Sequence, residues 1–140
     1  PRTYLDRDQF EFSFSGIKTS VRTHLTKQSA ESIDRDLPDI AASFQEAVVE
    51  VLVTKTMSAA RAMHTSSVLI TGGVACNSRL RDRMTAQGNE NNIRVTYPPP
   101  IFCTDNGAMI AAAGSFYFGQ GQRDGLDLAV NPRASLKTAS

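Results

Sequence analysis

A chain of 140 residues has room for one domain with a modest core, not two. Its 41% hydrophobic and 21% charged residues are those of an ordinary globular chain, and a net charge of +1 neither favours nor opposes a nucleic-acid partner. No apolar run approaches the roughly 20 residues that cross a bilayer, and no charged-then-apolar leader opens the chain.

Two cysteines, Cys76 and Cys103, make no disulfide framework and read as buried free thiols. His24 and His64 are too far apart in sequence to suggest a metal pair. The chain begins at Pro1 without a methionine, so it reads as a fragment.

In chain order, residues 1–8 form a polar lead-in. Phe10, Phe12 and Phe14 alternate with Glu11, Ser13 and Ser15, the pattern of a half-buried strand, which Gly16 ends. Ile17, Val21 and Leu25 then recur at helical spacing up to about residue 27. Ser13, Ser15 and Lys18 could touch a ligand at this turn, although turn chemistry and a solvated lysine explain them as well. Residues 28–36 read as a polar loop. A long helix follows, capped by Asp36 or Asp39, with Pro38 in its first turn. Its apolar stripe is Ile40, Phe44, Ala47, Val48, Val51 and Leu52, continued by Ala59 and Met63, with Glu46 and Glu50 on the wet side.

Residues 67–114 organise the rest. Val68, Leu69 and Ile70 suggest a strand buried on both faces. Gly72 and Gly73 follow, and Asn77 or Ser78 caps a helix that turns Leu80 and Met84 inward and Arg79, Arg81 and Arg83 largely outward. Gly88 and the nearby asparagines mark its exit. Ile93, Val95 and Tyr97 alternate as a second strand, which a helical crossover makes parallel to the first. Three prolines at 98–100 force a stiff extended loop. Thr104 or Asp105 starts a last helix, whose Ala111, Ala112, Ala113 and Gly114 allow close backbone approach. Gly119 ends it, and 120–140 is a polar tail.

Parallel strands open both loops at one sheet edge, which brings Gly72, Gly73, Asn77 and Asp105 towards one crevice. Glycines let a base, ribose or phosphate approach the backbone, and the helix start offers free N–H groups. Asn77 adds a donor and an acceptor on one side chain. Taken alone the signal is weak, since many such turns use Gly-Gly only for tightness. It is neither a G-x-x-x-x-G-K loop nor a G-x-G-x-x-G fingerprint. Asp105 is by habit a helix cap, but at this edge a carboxylate can also hold a divalent metal. One ligand does not make a site, and there is no H-E-x-x-H helix, C-x-x-C pair or nucleophile elbow. Arginines on the middle helix could meet phosphates; without interleaved aromatics a solvated face is the better reading.

Four collinear blocks, FSFSGIKTSV (12–21), DIAASFQEAVVEVL (39–52), ITGGVACNSRLR (70–81) and PPPIFCTDNGAMIAAAG (98–114), resemble the carboxyl-terminal half of the TsaD family. These are the tRNA N6-adenosine threonylcarbamoyltransferases, once labelled O-sialoglycoprotein endopeptidases. The resemblance implies an α/β chain with the actin-like ATPase fold of the sugar-kinase and Hsp70 type. This chain would be its incomplete second lobe, residues 1–119, with a parallel strand-helix-strand core, packed helices and a polar tail at 120–140. It also implies transfer of threonylcarbamoyl from threonylcarbamoyl-adenylate to N6 of adenosine 37 in tRNAs reading codons that begin with A. Asn77 matches the family's substrate-binding asparagine, Gly72 and Gly73 its adjoining turn, and Asp105 its carboxylate ligand to an active-site iron or zinc. Implied partners are tRNA, the adenylate, the amino-terminal lobe, and the degenerate paralogue and small ATPase of the bacterial t6A system, in the cytoplasm and without a membrane.

The family's other metal ligands form an H-x-x-x-H motif that neither His24 nor His64 matches, so the chain alone is expected to be inactive. Competing readings are a non-catalytic scaffold or dimerisation lobe, or another actin-like carbamoyltransferase. Retention of both Asn77 and Asp105 argues against the scaffold.

Overall fold

Among the described residues, six α-helices and β-strands follow one another: α1 (Ser15–Leu25), α2 (Ala30–Ala62), β1 (Ser67–Leu69), α3 (Ser78–Glu90), β2 (Arg94–Thr96) and α4 (Gly107–Gly119). They come from a computed structural model that describes residues 10–129. The lead-in at 1–8 and the last part of the tail lie outside the described residues. Two compact units divide the chain, Pro1–Thr104 and Asp105–Ser140. No helix among the described residues is long and apolar enough to cross a membrane.

The first unit is a β-α-β crossover laid against a long helix. β1 and β2 pair in parallel, with Val68 opposite Val95. The Ile70 N–H extends the ladder to the Thr96 carbonyl at 2.9 Å. Val49, Val53, Met57 and Ala60 of α2 close on Leu80 and Met84 of α3 and on Ile93, with Val68, Ile70 and Val95 packed alongside. Spacings of four, four and three put the α2 residues on one helical stripe. It is rotated from the stripe expected from sequence: Val48, Leu52 and Ala59 are only half-buried and Met63 is 76% exposed. α2 meets α1 as well as α3, burying Ala47 and Val51 too, and a helix rich in valine all round does not announce its phase.

Several local expectations fail for identifiable reasons. Residues 10–14 form no strand, and helix begins at Ser15, so Gly16 and Ile17 are helical from the start. A strand exists only by pairing, and the described residues contain just two strands, which pair with each other. The alternating phenylalanines instead leave Phe10 and Phe12 exposed, with the Phe12 and Phe14 rings stacked at 6.3 Å. Of the stretch read as a polar loop, residues 30–36 are already helix and form the first turns of α2. Ser29 is the cap, its hydroxyl accepting the Ser32 N–H at 3.3 Å, and neither Asp36 nor Asp39 serves. Hydrogen bonds from its own backbone N–H and from Ser29 hold the Glu31 carboxyl below its usual range, as suits an acid at a helix start. Pro38 therefore lies inside α2, where it denies the Asp34 carbonyl its helical donor.

β1 is not buried on both faces: Val68 is half-buried and Leu69 is 69% exposed. The helices α2 and α3 cover one face of this two-stranded sheet. Gly88 does not end α3 but lies buried within it; Asn92, at φ 55°, makes the left-handed exit.

The second unit is built on α4. Asn106, rather than Thr104 or Asp105, caps it, accepting the Met109 N–H at 3.1 Å. α4 buries none of its residues within the described chain, and Met109, Ile110, Phe116, Tyr117 and Phe118 are all exposed. Gly119 is its last helical residue, and Gly121 takes the left-handed conformation beyond it.

Candidate functional site

The glycine turn leaves β1 through Ile70 and Thr71 and passes into a single 3-10 turn, Gly73–Cys76, before α3 begins. Gly72 has φ +86° and ψ 170°, a conformation open to glycine almost alone. A Cβ placed on either Gly72 or Gly73 meets nothing within 4 Å. The turn therefore presents bare backbone to open space, the surface a planar or phosphorylated ligand can approach.

Asn77 closes the turn and caps α3. Its Oδ1 accepts the Leu80 N–H at 2.9 Å. Its Nδ2 donates to Gln45 Oε1 on α2 at 3.0 Å. The choice between Asn77 and Ser78 as cap is thus decided for Asn77, and its amide is anchored at both ends. Gly72, Gly73 and Asn77 belong to one turn of the first unit, whereas Asp105 is the exposed first residue of the second. Because Asn106 is the α4 cap, the Asp105 carboxylate is not committed to that duty. The described residues contain no group of three His, Cys, Asp or Glu side chains arranged to hold a metal ion. A metal would find a single candidate carboxylate at Asp105, which does not amount to a coordination site.

All three arginines of α3 prove to be engaged rather than merely solvated. Arg79 forks onto Glu46 of α2, with Nε donating at 2.7 Å and Nη2 at 3.1 Å, and Arg83 reaches the same carboxylate at 2.9 Å. These bonds, and then the charge of Glu46, push the Arg79 guanidinium up from its ordinary value. Glu46 is accordingly a bridge between α2 and α3, not part of a wet face. Arg81 points back over the N-terminal end of its helix, as helical side chains do. It donates to the Ala75 carbonyl in the glycine turn, and to the Pro98 carbonyl at 3.2 Å and Cys103 Sγ at 3.4 Å in the proline loop. Its guanidinium also lies 4.5 Å from the centre of the Tyr97 ring. One side chain thus ties both loops of the sheet edge together. The signal available in sequence was an arginine one helical turn after a cap, which by itself is too common to read.

The cysteines are free but differ in setting: Cys103 is buried, and Cys76, expected to be buried, is exposed. The Cys76 thiol donates to the Pro100 carbonyl, and the Cys103 thiol to the Pro98 and Pro99 carbonyls, each at 3.6 Å. Loss of water around the sulfur, followed by the bond and charge of the Cys103 thiol, pushes Cys76 above the ordinary thiol range, against a smaller downward pull from Arg81. Raising a thiol pKa lowers its thiolate fraction at neutral pH, so iodoacetamide should alkylate Cys76 more slowly than an unstructured cysteine peptide. The folded state favours the protonated thiol, so its contribution is held at low pH and lost as pH rises past the ordinary value near 9.0. Alkylation timed by mass spectrometry across pH 7–10 checks this, and a rate equal to the free peptide's would contradict it.

A cavity of about 470 Å³ lies between α1 and α2, with Ile17, Val21, His24 and Asp39 among its lining residues. None of its lining residues comes from the glycine turn. Sequence reasoning had no pattern for this cavity, because it is made by the packing of two helices.

The model of the TsaD family, described as tRNA N6-adenosine threonylcarbamoyltransferase, matches residues 1–112. Curated relatives carrying that same name include a protein of Magnetococcus marinus, 52% identical over 114 residues, which cover 81% of this chain and 32% of the relative. Another, of Clostridioides difficile, is 44% identical over 98% of this chain and 40% of its own length. A third, of Geobacter metallireducens, is 44% identical over 91% of this chain and 38% of its own length. The chain thus spans about two fifths or less of the curated relatives it matches, the C. difficile protein at 40% among them. With the glycine turn, its capping asparagine and the start of the last helix inside the matched residues, the chain belongs to the TsaD family.

Proposed function

We propose that this chain is the carboxyl-terminal lobe, residues 1–119 with a tail at 120–140, of a tRNA N6-adenosine threonylcarbamoyltransferase of actin-like ATPase fold. The observation that carries the reading is the family match across residues 1–112, at 44% identity to a relative covering 98% of the chain. In this reading the whole enzyme works in the cytoplasm. It moves threonylcarbamoyl from its adenylate to the N6 amine of adenosine in tRNA, expelling AMP as the amine attacks the carbamoyl carbonyl. The chain's own part is to hold the adenylate. Gly72 and Gly73 admit it to the backbone, and the N–H and lone pair left on the Asn77 amide meet its polar edge. Asp105 is the chain's one ligand to an iron or zinc ion whose other ligands come from the amino-terminal lobe. The facing lobe, the degenerate paralogue and the small ATPase complete the machinery.

The test is a chimera in which this chain replaces the corresponding two fifths of the C. difficile relative, produced in cells depleted of their own enzyme. The chimera should restore t6A, read by nucleoside mass spectrometry, while the isolated 140 residues should form none. Asn77→Ala in the chimera should raise KM for the adenylate roughly tenfold, the loss of about one net hydrogen bond to a polar ligand. A folded chimera without activity, or t6A formed by the isolated chain, would overturn the proposal.

A further inference from the structure

We infer that Gln45 is the positioning residue for Asn77, setting which atoms of that amide face a ligand at the glycine turn. The inference rests on the adenylate reading above and deepens it. An asparagine amide has two N–H donors and a carbonyl with two lone pairs, and nothing in its shape prevents a flip about its last torsion. The cap contact alone fixes only the oxygen, which accepts the Leu80 N–H at 2.9 Å. The Gln45 contact, Nδ2 to Oε1 at 3.0 Å, fixes the plane and the nitrogen as well. In the flipped orientation two N–H groups would face each other at Leu80, so the backbone donor selects the flip state. The Gln45 amide, which can turn to suit its partner, then holds the Asn77 plane, and one N–H and one lone pair remain for a ligand.

Gln45 can do this because its helix is itself held. The next residue, Glu46, is clamped by Arg79 and Arg83 of α3, at 2.7 and 2.9 Å. α3 is the helix that Asn77 caps, so the clamp fixes α2 against the cap and keeps Gln45 in reach across 32 residues of sequence. The space beyond Gly72 and Gly73 stays open beside this oriented amide. Gln45 is itself exposed, so its substitution leaves the core untouched.

The test uses the full chain, isotope-labelled for NMR, with AMP as the probe. Asn77→Ser, which keeps a capping hydroxyl, identifies the Asn77 side-chain amide signals by their loss. Gln45→Ala should move those signals to the positions of solvent-exposed asparagines while the Leu80 N–H stays in place, and should weaken AMP binding roughly three- to tenfold, the worth of a lost orienting hydrogen bond. Gln45→Glu keeps an acceptor oxygen and should preserve both the signals and, within about twofold, the affinity, a rescue that a purely structural role for the glutamine would not produce. Unmoved Asn77 signals in Gln45→Ala overturn the inference. So does an unchanged AMP affinity in that variant when Asn77→Ser weakens binding, and in that case the adenylate reading survives. If the unsubstituted chain shows no AMP-dependent shifts at the turn, or Asn77→Ser leaves the affinity intact, the adenylate reading falls and takes this inference with it.

Discussion

Gly88→Ala should destabilise the first unit by about 3 kcal/mol, the upper end of what a single extra methyl costs in a well-packed site. An exposed glycine in mid-helix would respond the other way, gaining about 1 kcal/mol on replacement by alanine. Close approach decides the sign. A Cβ at position 88 would lie 2.6 Å from the Ile93 carbonyl oxygen and 2.6 Å from Val95 Cγ2. Neither neighbour is free to retreat. The Ile93 N–H is bonded to the Gly88 carbonyl at 2.8 Å, and the next amide, Arg94 N–H, enters the sheet through the Ser66 carbonyl at 2.8 Å. Val95 sits opposite Val68 in the register of the two strands. Relief would have to come from lifting β2 off α3, which opens the core between Met84 and Ile93. Urea denaturation followed by circular dichroism measures the loss; a variant as stable as the parent would show that α3 and β2 are not in this contact.

Arg81→Ala is the second large effect, with an expected loss of about 2–3 kcal/mol. A charged donor to a neutral acceptor contributes roughly 1.5–3 kcal/mol, and partial solvent access lowers each contact below that ceiling. Removal leaves the carbonyls of Ala75 and Pro98 and the buried Cys103 sulfur without this donor, and strips the Tyr97 ring of its cation. Arg81→Lys should recover less than half of the loss, because an ammonium cannot serve two loops with one planar fork. The effect should also be shared. The Asn77 N–H, bonded to the Val74 carbonyl, and the Cys103 N–H, bonded to the Pro100 carbonyl, report on the two loops separately. Both should exchange faster with deuterium in the variant. Faster exchange in one loop alone would mean that Arg81 supports that loop and does not couple the pair.

These two residues also show where reading the sequence stops. Gly88 was legible as a helix exit, since glycine near asparagines usually is one, but the left-handed residue is Asn92 and the glycine serves a strand that starts six residues on. Arg81 was legible as one of three outward arginines. Helical spacing gives a direction around an axis and carries no information about which backbone lies there. The same limit explains Gln45, to which no role was assigned, and Glu46, read as solvated.

Sequence by itself determined the parallel pair of strands around a crossover helix and the glycine turn between β1 and α3, and narrowed the cap at its end to Asn77 or Ser78. Short-range chemistry suffices for these: glycine alone tolerates the backbone angles of Gly72, and two adjacent strands joined through a helix pair in parallel. Membership of the TsaD family was likewise carried by blocks of residues read in order. Only tertiary structure decided the phase of the α2 stripe, the helical state of the residues before Pro38, and the absence of a strand at 10–14. A strand is made by its partner, and a valine-rich helix takes its orientation from the neighbours that cover it. The anchoring of Asn77 by Gln45 and of both loops by Arg81 belongs to the same class, because hydrogen bonds between distant segments depend on where packing places the chain.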